Sequence, residues 1–220
     1  MKKEQKKKFK VTFLLDAQNS WIYKYIYNFK FNQKNKFIFK ISKNYKKIKN
    51  QDIVFILNFT KILPEQFLKK NKLNLVIHQS NLPKDRGFAP VQNQILRNKN
   101  KIFASVIKAS KKVDKGPICL KTYFNLNGTE LYDEIRKKQG ISIIKIIKNI
   151  LIKYPNLKFK KQTGKQNFNK KRNYKDSELN INQSIRKQFN HLRINCNEEF
   201  PSFFYFKKKK YILKIFMENK

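Results

Sequence analysis

Cysteine is almost absent from these 220 residues: Cys119 and Cys196 are the only two, which excludes a disulfide framework. Five glycines and six prolines exclude a fibrous or collagenous chain. No run approaches the ~20 apolar residues of a membrane span. The basic start, Met1 to Lys10, leads into strand-like sequence without a small-residue cleavage site, so no secretory leader is read and a reducing cytoplasm is the expected compartment. Acidic residues are scarce too: 14 Asp and Glu face 52 Lys and Arg, a formal net charge of +38. Such an excess suggests a polyanionic partner. The cations, however, are mostly lysine spread along nearly the whole chain, whereas phosphate readers concentrate them locally. We read most of the excess as solvated lysine that attracts anionic ligands in general, and do not expect nucleic acid to be the partner. What is plentiful is apolar: 40% hydrophobic and 14% aromatic residues can build a sizeable core.

The length suits one main domain with a small appendage. Lys10–Asp16 reads as a strand, and Ser20 as the cap of a helix from Trp21 to about Phe29. Lys36–Ile41 alternates like a second strand, and Asp52–Asn58 is apolar enough for a buried third. Pro64 opens a short helix through Leu68, and Leu73–His78 forms a fourth strand ending in a polar loop, Gln79–Pro90. Val91–Arg97 reads as helix, and Ile102–Ala109 and Ile118–Leu126 as strands around a turn at Asp114–Pro117. A helix to about Lys138 and another over Ile141–Ile152 follow. Tyr154–Ser177 lacks periodicity and reads as loop or linker, before a helix over Ile181–Leu192 and strands at Phe203–Phe206 and Lys210–Phe216. The expected fold is α/β, a Rossmann-like, mostly parallel sheet over residues 1–153, with a small helix-plus-strand appendage over 154–220.

Only two histidines are present, so imidazole chemistry has few places to reside. His191 lies in a helical pattern and reads as interface or core. His78 ends a buried strand, at the sheet edge where open α/β folds bind ligands. Its loop carries His78-x-Ser80-x-Leu82-Pro83, then Arg86-Gly87 and Pro90, and Asp114 follows His78 by 36 residues in Val113-Asp114-x-Gly116. This combination resembles the signature of the formyltransferases that use 10-formyltetrahydrofolate, over Asn74 to Arg136. The wording of Asn74–His78, Arg86–Pro90, Gly128–Leu131, Asp176–Glu178, Gln188–Ile194, Asn197-Glu198 and Pro201–Phe204 is similar to that of the sugar-nucleotide N-formyltransferases, nearest to those acting on a UDP-linked 4-amino-4,6-dideoxy sugar.

The resemblance implies transfer of a formyl group from 10-formyltetrahydrofolate to the amine of a nucleotide-linked amino sugar, for surface glycan biosynthesis, without a metal. It implies that His78 moves a proton or steadies the oxyanion, that Asp114 orients the imidazole, and that Ser80, Leu82, Pro83, Arg86, Gly87 and Gly116 shape the folate site. Arg86 reads equally as a surface charge or as a partner for a folate carboxylate or substrate phosphate. Gln92 is assigned to the substrate, as are Arg172 and Tyr174, a clamp for a nucleotide diphosphate and its base within an otherwise plain basic run. One departure stands out: the family carries Asn two residues before the histidine as donor to the formyl oxygen, and this chain has Val76 there. Asn74 shares that strand face but stands about 13 Å from His78 at roughly 3.3 Å per residue, a weak replacement; Ser80, Asn81, Gln92 or a backbone N–H are the others. Methionyl-tRNA formyltransferases share the first half of the pattern but carry a longer C-terminal barrel, for which too few residues follow here. They are the alternative enzyme, and a basic nucleic-acid-binding protein is the alternative outside enzymes. Phe203, Phe204 and Tyr205 read as core of the last strands or as a two-fold homodimer contact.

Overall fold

Uninterrupted apolar runs make the central strands and alternating ones the flanks. The computed structural model describes residues 8–16, 21–32 and 36–218. In it, β1 (Phe9–Leu15) and β3 (Ile53–Leu57), nearly all buried, lie side by side in parallel, with β2 (Phe37–Ser42) and β4 (Asn74–His78) parallel outside them. The sheet continues antiparallel through β6 (Lys101–Lys108) and β7 (Ile118–Asn125), giving the order β2-β1-β3-β4-β6-β7. The α/β, mostly parallel expectation therefore holds. Ser20, the expected cap, lies outside the described residues; the helix itself, α1, runs over Tyr23–Tyr27.

Both sheet faces are covered. One carries an aromatic cluster, in which Phe13 meets Phe29, Phe39 and Phe55 at 5.4–6.0 Å between ring centres. The other packs Leu14, Val54 and Ile56 against Phe67 of α2 (Glu65–Lys69). Each such side chain contributes about 1.5–3 kcal/mol by leaving water. Pro64 precedes α2 in extended conformation instead of occupying its first turn.

Two expectations need correction. The helices drawn on either side of residues 139–140 are one helix, α4 (Tyr132–Lys153). Gly140, within it, has a packing reason: a Cβ there would lie 2.5 Å from the Tyr25 ring, so glycine lets α1 approach α4. Ile143, Ile146, Ile147 and Ile150, at helical spacing, bury the face that holds it. The second correction concerns Tyr154–Ser177, which is loop for most of its length but not a linker. Its β8 (Phe168–Asn169) pairs in parallel with β5 (Arg86–Gly87), and Lys160 pairs with Ile118. The segment thus lies across the loop that follows β4, before a 3-10 turn at Tyr174–Ser177.

The chain closes with α5 (Ile185–Arg193) and a hairpin of β9 (Ser202–Phe206) and β10 (Lys209–Leu213). α5 starts later than the expected Ile181 because Ser184 caps it, its hydroxyl accepting from the Lys187 amide. Ile194 packs with Val91 and Ile95 of α3 (Pro90–Leu96) and with Ile135, tying this end to the main body. No helix among the described residues is long and apolar enough to cross a membrane.

Candidate active site

β4 ends at His78, and the chain there turns away from the sheet into a polar loop. His78 is buried, and its Nε2 lies 2.7 Å from the backbone carbonyl of Asp85. A carbonyl only accepts, so Nε2 carries the proton and the ring orientation is fixed. The other nitrogen, Nδ1, lies 3.5 Å from Asp114 Oδ1. The second Asp114 oxygen accepts from the Gly87 amide at 2.9 Å, which pins the carboxylate against the loop. The 36-residue spacing thus does bring the two side chains together.

The surrounding loop explains how. Asp85, Ala89 and Asp114 all take left-handed backbone conformations, which non-glycine residues adopt mainly where neighbours impose them. Asp85 Oδ1 accepts from Arg97, from Asn167 at 3.1 Å and from Asn169 at 3.3 Å, so its carbonyl is held toward His78 from both sides. Gly116 permits the turn that carries Asp114, because a Cβ there would stand 1.7 Å from the Lys108 carbonyl oxygen. Gln162 donates to the carbonyls of both Asp114 and Gly116.

These groups edge a cleft of about 640 Å³ between the ends of β3 and β4, the residues after β5 and the turn at Asp114. Val76, Ile107, Phe88 and Val113 supply apolar wall, while His78, Gln79, Gln92 and Asp114 supply the polar points. A mostly apolar cavity with a few convergent polar groups suits a flat aromatic ligand.

Of the residues expected at the site, His78, Asp114, Gly87 and Gln92 line this cleft, and Gly116 supports it. The others have different work. Asn74 is buried and donates to the Leu68 carbonyl at 2.9 Å, stitching β4 to α2, so it is not a catalytic group. Ser80 is fully buried with its hydroxyl on the Lys84 carbonyl, and Leu82 and Pro83 are buried beside it, so these three shape the loop and do not face the cleft. Arg86 is buried rather than exposed; its two terminal nitrogens donate to Gln166 and Gln162, while its Nε has no partner among the described residues, and the side chain does not line the cleft. Arg172 and Tyr174 lie away from the cleft. Arg172 donates to the Asp176 carbonyl, which His191 also meets, and burial lowers the pKa of both side chains. Tyr174 stacks on Phe203 at 6.4 Å. Phe203 is core of the hairpin as expected, while Tyr205 is half exposed.

Sequence reading missed Asp85, Gln79, Gln139 and Gln162. Their contributions are a backbone carbonyl and side-chain amides, groups that carry no motif. The only hint was the polar loop itself, in which Asp85 tolerates the left-handed turn it occupies.

Comparison with known proteins agrees with this fold. A methionyl-tRNA formyltransferase from Thermotoga neapolitana is 30% identical over 106 residues, 48% of this chain and 33% of that protein. The chain spans between about a third and about a half of the length of the curated relatives it matches. Among solved structures, a methionyl-tRNA formyltransferase from Clostridium thermocellum superposes with a TM-score of 0.81 at 23% identity, covering 96% of this chain and 94% of that one. A 4-N formyltransferase from Francisella tularensis superposes at 0.69 with 18% identity, covering 96% and 99%. At these identities the superpositions speak for the fold. The family model described as formyl transferase matches residues 2–148, more than half of the chain. His78, Asp114 and the loop between them fall inside that match, and the chain belongs to the formyl transferase family.

Proposed function

We propose that this protein transfers a formyl group from 10-formyltetrahydrofolate to a primary amine held in the cleft beside His78 and Asp114. The observation that carries this reading is the 3.5 Å approach of His78 Nδ1 to Asp114 while Nε2 donates to the Asp85 carbonyl. Nε2 is committed to the Asp85 carbonyl, so Nδ1 is the ring nitrogen that faces the Asp114 carboxylate, and a proton shed by an amine in the cleft can be taken up by this pair.

The step balances without a metal or oxidant. The amine lone pair forms a new bond to the formyl carbon and the carbonyl electrons move onto oxygen. His78 and Asp114 take the proton the nitrogen sheds. When the carbonyl re-forms, the bond to folate nitrogen N10 breaks, and N10 is protonated from the same pair, leaving a formamide and tetrahydrofolate. The activated carbon comes with the folate. The chain positions it, with Phe88 and Val113 as apolar wall for the pterin.

For the acceptor, methionyl-tRNA is the reading the observations support best. The sequence relatives bear that name, and Arg172 and Tyr174, the residues expected to clamp a nucleotide-sugar, stand apart from the cleft. The excess of positive charge would then serve an RNA acceptor. A nucleotide-linked amino sugar, with UDP as carrier, is the second reading, favoured by the likeness to the Francisella 4-N formyltransferase. Tetrahydrofolate release from 10-formyltetrahydrofolate is to be measured with methionyl-tRNA and with UDP- and dTDP-4-amino-4,6-dideoxy sugars. Turnover with methionyl-tRNA alone, falling steeply with salt because counterion release scales with phosphates contacted, supports the first reading. Turnover with the sugars alone supports the second. A protein whose melting temperature ignores the folate would instead be a basic binding module.

A further inference from the structure

Gln79 follows His78 directly, lines the same cleft and is only 6% exposed. Its carbonyl accepts from Gln94 at 2.7 Å, which fixes its backbone. Its side-chain Oε1 accepts from Gln139 Nε2, and Gln139 Oε1 in turn accepts from Arg136 Nη1 at 2.9 Å. The Arg136 guanidinium lies over the Trp21 ring at 4.8 Å and the Tyr132 ring at 5.0 Å.

This chain of contacts has a direction. A guanidinium can only donate, so Gln139 must offer it oxygen and present nitrogen to Gln79. Gln79 must therefore answer with oxygen, which leaves its own Nε2 as the end of the chain without a partner. That nitrogen is buried and has no hydrogen-bond partner among the described residues. An orphaned buried donor is destabilising, a cost an apolar residue would avoid. Nothing else on the His78 strand fills the need for a donor: Val76 lines the cleft without a polar atom, and Asn74 is committed to Leu68.

We propose that the Gln79 side-chain amide is the donor that binds the formyl oxygen and steadies the negative charge it gains, with Gln139 and Arg136 as positioning residues that keep the N–H side turned to the cleft. The proposal rests on formyl transfer at this site and names the group that replaces the missing asparagine. Gln79 contributes no proton transfer. Its N–H groups shorten their contact to oxygen as the carbonyl becomes an oxyanion, and release it when the carbonyl re-forms.

Two readouts test it. The first is binding by calorimetry of 10-formyl-5,8-dideazafolate and of 5,8-dideazafolate, which lacks the formyl group. The wild type should prefer the formyl-bearing analogue by about 3- to 10-fold, one hydrogen bond's worth. Gln79→Met should bind both alike, and Gln139→Met should lose most of the preference. The second is formylation of methionyl-tRNA, in which Gln79→Met should lower kcat by about 100- to 1,000-fold with little change in KM for the folate, as removal of an oxyanion donor does. If Gln79→Met does not fold, Gln79→Glu, equal in size but presenting oxygen where nitrogen stood, should show the same loss. Retention of the preference and of kcat in these variants overturns the role of Gln79 and leaves the site assignment standing. A wild type that binds neither analogue overturns the formyl-transfer reading and this proposal with it.

Discussion

The carboxylate of Glu130 is one of the points at which the C-terminal segment is fastened to the main body, and its removal has a calculable effect. Glu130 is 3% exposed in the loop between β7 and α4, and Arg193 of α5, 1% exposed, lies 3.6 Å from it. Glu130 also accepts from the amides of Asn127 and Gly128 at 2.8 and 3.1 Å and from Lys138. Glu130→Ala would leave Arg193 buried with the Asn100 and Asn190 side chains and the residue-130 carbonyl as its remaining partners, and no anion. Breaking a buried pair from one side costs about 3–5 kcal/mol. In a chain of this length each kcal/mol moves the melting temperature by about 2–4 °C, so scanning calorimetry should record a drop of roughly 6–20 °C. The double variant Glu130→Met/Arg193→Met should recover much of it, since an apolar pair leaves no charge stranded. A single variant melting within about 2 °C of wild type would refute the reasoning, because the pair could then not be the clamp that the geometry describes.

Other expectations follow from the same structure. Gly116→Ala should abolish soluble expression or activity, since its Cβ would overlap the Lys108 carbonyl; a fully active variant would show that the turn carrying Asp114 can open. Burial pushes the Cys119 thiol up to about 11, so iodoacetamide at pH 8 should modify it roughly two orders of magnitude more slowly than a free thiol, as read by mass spectrometry. Burial opposes the charge on Glu130, yet Lys138 and the loop amides hold its carboxyl below the ordinary 4.5. Asp52, held by Lys72 and the Lys10 amide against a similar opposition, lies below 3.8. Both stabilise fully above those ordinary values and lose the effect as pH falls through the lower folded ones. Denaturant midpoints should therefore decline below about pH 4.5, and a flat profile down to pH 3 would contradict this.

How much of this was legible in the sequence depends on the kind of interaction. β1, β3 and β4 could be read because buried parallel strands are continuous apolar runs, and Asp114 because a fixed distance from His78 ties it to the loop. The unity of α4 could not, because Gly140 looks like a breaker until the Tyr25 ring is placed against it. Tyr154–Ser177 looked like a linker because its hold on the molecule runs through Gln162, Asn167 and Asn169 reaching backbone and carboxylate groups, and such contacts leave no periodicity. Arg86 was misplaced for a related reason: a guanidinium whose terminal nitrogens are held by two glutamine side chains reads the same in sequence as one awaiting a phosphate. The Gln79–Gln139 contact joins residues 60 positions apart and only the fold displays it.

The site itself is tested most directly by single-turnover formation of tetrahydrofolate from 10-formyltetrahydrofolate and an amine acceptor, comparing wild type with His78→Asn and Asp114→Asn. If the imidazole and carboxylate receive the amine proton together, each variant should slow the step by about 10²- to 10⁴-fold while still binding the folate. Undiminished rates in both variants would contradict the account.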